Sequence, residues 1–155
     1  MSTTDTKQDN IIFIKGKEKG LKILFNQQNF GFLAVGYHSD PNDTNGFVNI
    51  EDNDELSQNG FHEISVEEDS TYTRVPLVIS QDSIKNYDNG EVTIICTAEF
   101  DIDNIIKDMP INQLAIVDSQ IPNDPSTIFY AAATCREPFN KSEQNALAIV
   151  CELTI

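Results

Sequence analysis

Any chemistry in this chain has to come from two histidines, three cysteines and a surplus of carboxylates. His38 opens a run of Asp, Asn, Gly and Ser, and His62 stands between Phe61 and Glu63 in an alternating stretch. A covalent mechanism needs a nucleophile held against a base. Neither histidine adjoins a Gly-x-Ser-x-Gly or a Gly-Cys turn. His62 reads as a strand residue at the surface. Carboxylate pairs of the kind that hydrolyse glycosides are always available among 25 acidic residues. The absence of Trp, and the scarcity of aromatics outside the apolar runs, argue against a sugar platform. No residue is assigned a catalytic, cofactor-binding or metal-ligating role, and no cofactor is expected.

The oxygen-rich turn Asp40-Pro41-Asn42-Asp43-Thr44-Asn45-Gly46 has the residue types that calcium takes from loops. It lacks the D-x-[DN]-x-[DN]-G order, and the far end of the loop is Glu51-Asp52. It reads as a solvated acidic loop, as does Glu51-Asp52-Asn53-Asp54-Glu55. Gly16-Lys17-Glu18-Lys19-Gly20 lacks the G-x-x-x-x-G-K-[ST] order of a phosphate loop and reads as a turn. Cys96, Cys135 and Cys151 stand far apart, each in or beside an apolar run, with no CxxC or Cys/His spacing for zinc. They read as small buried hydrophobes kept as thiols in a reducing compartment. Arg74 reads as a stem lying over apolar surface or as the partner of a nearby carboxylate.

The frame around these residues is one domain. A chain of 155 residues is of single-domain length and buries a core without staples. A net charge of −15 repels phosphate backbones and acidic membrane surfaces, and no basic cluster offsets it. Neither nucleic acid nor a membrane is expected as a partner. The polar start MSTTDTKQDN has no signal core, and no apolar run approaches the ~18 residues of a membrane span. Residues 1–9 are expected to be a mobile tail and residues 10–155 a single domain.

Ile11 to Ile14 has strand character. Leu21, Leu24 and Phe25 recur at helical spacing, which predicts a short helix over residues 17–27 broken at Asn29 to Gly31, although a strand through Lys22 to Phe25 would also fit. Phe30 to Tyr37 is apolar on both sides, as a strand buried on both faces would be. Residues 38–60 form a surface excursion punctuated by Asn45-Gly46 and Asn59-Gly60, with a short helix around residues 52–58. Alternation predicts strands over Phe61 to Glu67 and Ser70 to Ile79, the second on an edge or with a bulge because Pro76 cannot donate to a ladder. Ser80 to Gly90 reads as a loop, and a helical turn is expected at Asp103 to Lys107. The clearest alternation is in Val92 to Phe100 and Leu147 to Ile155. Strands are also expected over Asn112 to Val117 and Thr127 to Cys135, with a turn over Arg136 to Gln144. Ala131, Ala132 and Ala133 would let another layer approach closely. Short strands separated by turn signals predict a mainly β protein, an antiparallel β-sandwich with a short N-terminal helix.

The order of these pieces adds a resemblance. Ala34-Val35-Gly36-Tyr37 is followed by Phe61-His62-Glu63-Ile64, Tyr72-Thr73-Arg74-Val75 and Thr97-Ala98-Glu99-Phe100. Then come Ile111 to Asp118, Phe129 to Thr134, Phe139-Asn140-Lys141 and the closing strand. Over roughly residues 20–155 this resembles the attachment domain of tail-collar fibres of tailed bacteriophages and related baseplate or neck-attached proteins. Where that family has Glu-Leu/Ile-Gly, this chain has Gln113-Leu114-Ala115. The resemblance implies a virion structural protein of the tail, baseplate or fibre attachment, assembled in the host cytoplasm. Its implied partners are other virion structural proteins and copies of itself as a homo-oligomer, without catalysis. A receptor- or carbohydrate-binding β-sandwich module, or a capsid- or neck-attached decoration protein, is the alternative. A small hydrolase is disfavoured by the lack of a histidine-anchored constellation. Because the 38–60 excursion reads as solvated, millimolar calcium is expected to leave the melting temperature unchanged; a rise in a thermal-shift titration would make the loop an ion site.

Overall fold

The computed structural model describes residues 13–25, 29–40, 60–79, 84–86 and 91–154. The expected tail, most of the 38–60 excursion and its short helix lie outside the described residues. The chain is mainly β, with antiparallel sheets and, among the described residues, one short helix, as its alternation predicts.

Helix α1 spans Ile14–Leu24 and so starts earlier than the spacing predicts, absorbing the end of the expected first strand. Gly16 and Gly20, read as turn positions, lie inside it. Each glycine costs a helix interior about 1 kcal/mol against Ala, and Phe13 at the N-cap offers no side-chain cap. Packing must therefore hold the helix. Leu21 and Phe25 are fully buried, and the helix packs against β4 (Val92–Phe100). Phe25 also meets Tyr130 edge to face at 4.8 Å between ring centroids.

The remaining strands are β1 (Phe32–Gly36), β2 (Val75–Pro76), β3 (Ile84–Asn86), β5 (Met109–Val117), β6 (Phe129–Lys141) and β7 (Leu147–Thr154). One sheet has the order β2-β1-β5-β6 and the other β3-β4-β7. Every residue of β1 is buried, as its two apolar sides predict. The alternating strand over Val92 to Phe100 is found with those bounds, and β7 pairs with it from Thr93↔Thr154 to Phe100↔Leu147. The two sheets share one apolar core. Leu33, Val35 and Ile116 from the first meet Val92, Ile94, Phe100 and Ile149 from the second, with Leu21 and Phe25 of the helix. A second cluster, Phe32, Ala34, Phe61, Ala115 and Val117, covers the other face of β1 and β5.

Several expected elements differ. Phe61 to Glu67 is not a strand: it makes a single bridge, Glu63 to Gly36, and then turns at Val66 to Glu68. Its hydrogen bonds go to a strand end and to side chains, so alternation alone did not earn it a ladder partner. The stretch Ser70 to Ile79 pairs only through β2 and a bridge between Val78 and Thr97. Pro76 does lie on a sheet edge. The loop after Ser80 contains β3. Residues 103–107 form turns and bends instead of a helical turn, with Ile105 in the left-handed region at φ 61°. β6 runs on past Pro138 to Lys141, so the turn expected from Arg136 comes only at residues 143–144; the register shift between Ile111 and Gln113 on β5 takes up the extra length. Pro138 falls in that irregular stretch, between Thr134 and Phe139, where the ladder with β5 gives it no partner.

Gly36 ends β1 against the backbone of residues 62–63, with Tyr37 N donating to the His62 carbonyl at 3.1 Å and Ile64 N to the Val35 carbonyl at 3.1 Å. A β-carbon on Gly36 would overlap the His62 carbonyl. Gly36→Ala is expected to lose about 1–3 kcal/mol, the usual cost of overpacking a site with no room to yield, read as a lower midpoint in urea unfolding.

Candidate functional site

The densest polar cluster forms where three segments without regular structure meet: residues 63–66, 72–74 and 119–127. Its centre is the ion pair between Arg74 and Glu63, whose side chains are 1% and 9% exposed. Arg74 Nε donates to Glu63 Oε2 at 2.8 Å and Nη2 donates to Oε1 at 2.9 Å, a two-pronged pairing suited to a planar guanidinium. Arg74 Nη1 donates to the Ser119 carbonyl at 3.0 Å and to Thr127 Oγ1 at 2.8 Å. The Tyr72 hydroxyl donates to Glu63 Oε2, and Asn123 N donates to Oε1 at 3.0 Å.

Burial opposes the charge on Arg74, but the hydrogen bonds and the negative charge of Glu63 outweigh it and raise its pKa above the ordinary value. Burial, together with the Glu63 charge, pushes the Tyr72 hydroxyl well above its usual range. Both groups keep their protons at neutral pH. Glu63 accepts from Arg74, Tyr72 and Asn123 at once, so its lone pairs are committed to holding backbone and side chains in place. Asn123 completes the brace from the left-handed region at φ 59°, which Asn tolerates better than most residues. Its Oδ1 accepts from Val66 N at 3.1 Å and its Nδ2 donates to the Ile64 carbonyl at 3.1 Å.

Two further clusters use the same principle. Asn112 and Gln113, both fully buried, follow one another at the irregularity in β5. Asn112 Oδ1 accepts from His38 N and its Nδ2 donates to the His38 carbonyl, both at 2.8 Å. Gln113 Oε1 accepts from His62 N at 2.7 Å and its Nε2 donates to the Gly60 carbonyl at 2.6 Å. Adjacent residues thus clamp the two stems of the 38–60 excursion. Elsewhere, Asp69 accepts from Thr71 N, Thr71 Oγ1 and Lys107 N. Burial works to raise its pKa, but these hydrogen bonds prevail and hold it below the ordinary carboxylate value. Lys141 is buried, and its Nζ donates to the carbonyls of Ile105 and Ser142.

The structure brings the two histidines together, with ring centroids 5.0 Å apart. His38 Nδ1 is engaged with the backbone of Asp40. Positions 41–46 and 51–55 lie outside the described residues. Among the described residues, no group of three His, Cys, Asp or Glu is placed to hold a metal ion. The cysteines are free thiols. Cys96 is buried and faces Cys151 across the β4–β7 ladder, while Cys135 and Cys151 are half-buried. Burial pushes all three thiols up, Cys96 to about 11, so they stay protonated near neutrality. Beside the ion pair opens a cavity of about 600 Å³ bordered by Tyr37, Phe61, His62, Glu68, Arg74 and Phe129.

The sequence reading left Arg74 with an unspecified carboxylate; that partner is Glu63. It did not single out Asn112, Asn123 or Lys141. An amide side chain in a strand or turn has no sequence signature until its backbone partners are known. No family model matches the chain, and neither a curated protein nor a solved structure shows significant similarity to it.

Arg74→Ala would leave the Glu63 carboxylate buried without its counter-charge. The expected loss is about 3–5 kcal/mol, measured by urea unfolding at pH 7. Replacing both partners with apolar residues of similar volume is expected to recover most of it. A loss below about 1 kcal/mol for Arg74→Ala, typical of an exposed pair, would show that the ion pair is not the brace.

Proposed function

We propose that the chain is a structural subunit of a tailed-bacteriophage particle, in the tail, baseplate or fibre-attachment apparatus. It works by assembly with other virion proteins and with copies of itself, and it needs no catalytic group or cofactor. The supporting observation is where the stretches that carry the resemblance meet. Glu63 from Phe61-His62-Glu63-Ile64 pairs with Arg74 from Tyr72-Thr73-Arg74-Val75. Gln113, in the position where the family carries an acidic residue, holds the stem that leads into the first of these stretches.

Polar residues that recur in order along a sequence and converge on one buried brace serve to fix a scaffold. The large acidic surplus keeps free subunits apart until specific contacts overcome the repulsion. Mass spectrometry of purified particles from the producing host is expected to find this chain as a stoichiometric component. Its presence in the lysate but never in particles would overturn the reading and leave small-ligand binding at the cavity beside Tyr37 and Phe61 as the function to pursue.

A further inference from the structure

The two sheets are joined on one side and open on the other. On the joined side a single segment passes between them. Val75–Pro76 pairs with β1, and Val78 exchanges backbone hydrogen bonds of 2.7 and 2.9 Å with Thr97 of β4. On the other side β6 and β7 end their sheets, and among the described residues neither has a second neighbour. Between them runs a groove of about 330 Å³ whose floor includes Ala131 to Ala133 and whose wall includes Val150 to Leu153.

Among the described residues, no strand pairs with the outer edge of β7. Thr97 directs both its N–H and its C=O toward Val78, so Thr97 and Val150, which lie opposite each other, are a pair without mutual hydrogen bonds. Val150 N–H and C=O therefore point away from β4, and by alternation so do those of Ala148 and Glu152. The strand carries neither Pro nor Lys, the usual means of blunting an edge. Val150 is 63% exposed. On the inner face Cys151 and Leu153 are only partly covered by the core they pack against.

We propose that this open side receives an extended strand donated by another polypeptide. The strand pairs with β7 and sends alternate aliphatic side chains into the groove over the small floor of Ala131 to Ala133. Main-chain hydrogen bonds supply affinity in such a mode, and the pockets for alternate side chains supply selectivity. Glu152 borders the groove on a chain of net charge −15, so the donor carries Lys or Arg where it passes that residue. A second copy brings the same net charge, and the inward side chains of its β7 are already used in its own core. The inference rests on backbone pairing and the groove, and stands or falls independently of the proposed virion role.

The probe is the peptide acetyl-Lys-Val-Thr-Val-Thr-Val-Lys-amide, titrated into the isotope-labelled full chain. Saturable binding is expected, with slowed amide exchange at Ala148, Val150 and Glu152 and shifted signals at Ala131 to Ala133. Val150→Pro removes an outward donor without removing a bond to β4. It is expected to keep the fold and weaken binding about tenfold, the value of roughly one net hydrogen bond. Should that variant misfold, Ala133→Phe, which fills the groove, is expected to weaken binding likewise. Replacing both lysines of the peptide with glutamate is expected to weaken binding further. Unchanged exchange at millimolar peptide, shifts confined to other strands, or equal binding of the glutamate peptide would overturn the proposal. So would protection of the same amides by protein concentration alone, which would assign the edge to a second copy.

Discussion

The buried pair of Glu63 and Arg74 is the interaction on which the irregular half of this protein depends. Bringing both charges out of water costs several kcal/mol per ion. Only close two-pronged geometry and further hydrogen bonds offset that cost. Here Tyr72, Asn123, Thr127 and the Ser119 carbonyl supply them. Such a pair adds little net stability over a well-packed apolar substitute, but it is unforgiving of disruption. Its effect is to fix the mutual positions of three segments that share no ladder. That role suits residues 61–78, which among the described residues pair with the sheets through two isolated bridges and the two-residue β2.

The same logic extends outward. Asn112 and Gln113 bind backbone on both stems of the 38–60 excursion, Asp69 and Thr71 bind the connector that leads into β5, and Asn104 of that connector accepts from Thr73 N. Long connections would otherwise leave buried peptide groups without partners, a penalty comparable to a lost hydrogen bond each. Amide and carboxylate side chains stand in for the missing strand neighbours. The result is a chain whose regular strands carry the apolar core and whose loops are tied by buried polar side chains. Side-chain satisfaction is correspondingly close: among the described residues, Thr134 Oγ1 is the buried side-chain oxygen left without a partner.

Legibility followed the strength of the local pattern. β4 and β7 were readable because alternate residues face the core over eight or nine positions, and the two pair with each other along almost their whole length. β1 was readable because both its faces are apolar and both are covered. Phe61 to Glu67 alternates as well, but its inward Glu63 serves the ion pair and its backbone meets a strand end. Alternation reports which side chains are buried, not whether the backbone has a ladder partner. The helix start was missed because Gly16 and Gly20 argue against helix locally, while Leu21 and Phe25 gain enough from burial to outweigh them. The passage of β6 through Pro138 depended on the register shift against β5, which no local signal announces.

Arg74 shows the same division within the site. Its sequence surroundings say that an arginine in so acidic a chain will find a carboxylate; they do not say which of 25 it will be. By itself the sequence determined the mainly β class, the principal core strands, the burial of both faces of β1 and the acidic surface, because each follows from the type and period of neighbouring residues. Tertiary structure alone decided that Glu63 meets Arg74, that Asn112 and Gln113 clamp the excursion, and that the sheets are joined through residues 75–78. Those outcomes depend on contacts between residues 11 to 74 positions apart, and local pattern carries no information across that distance.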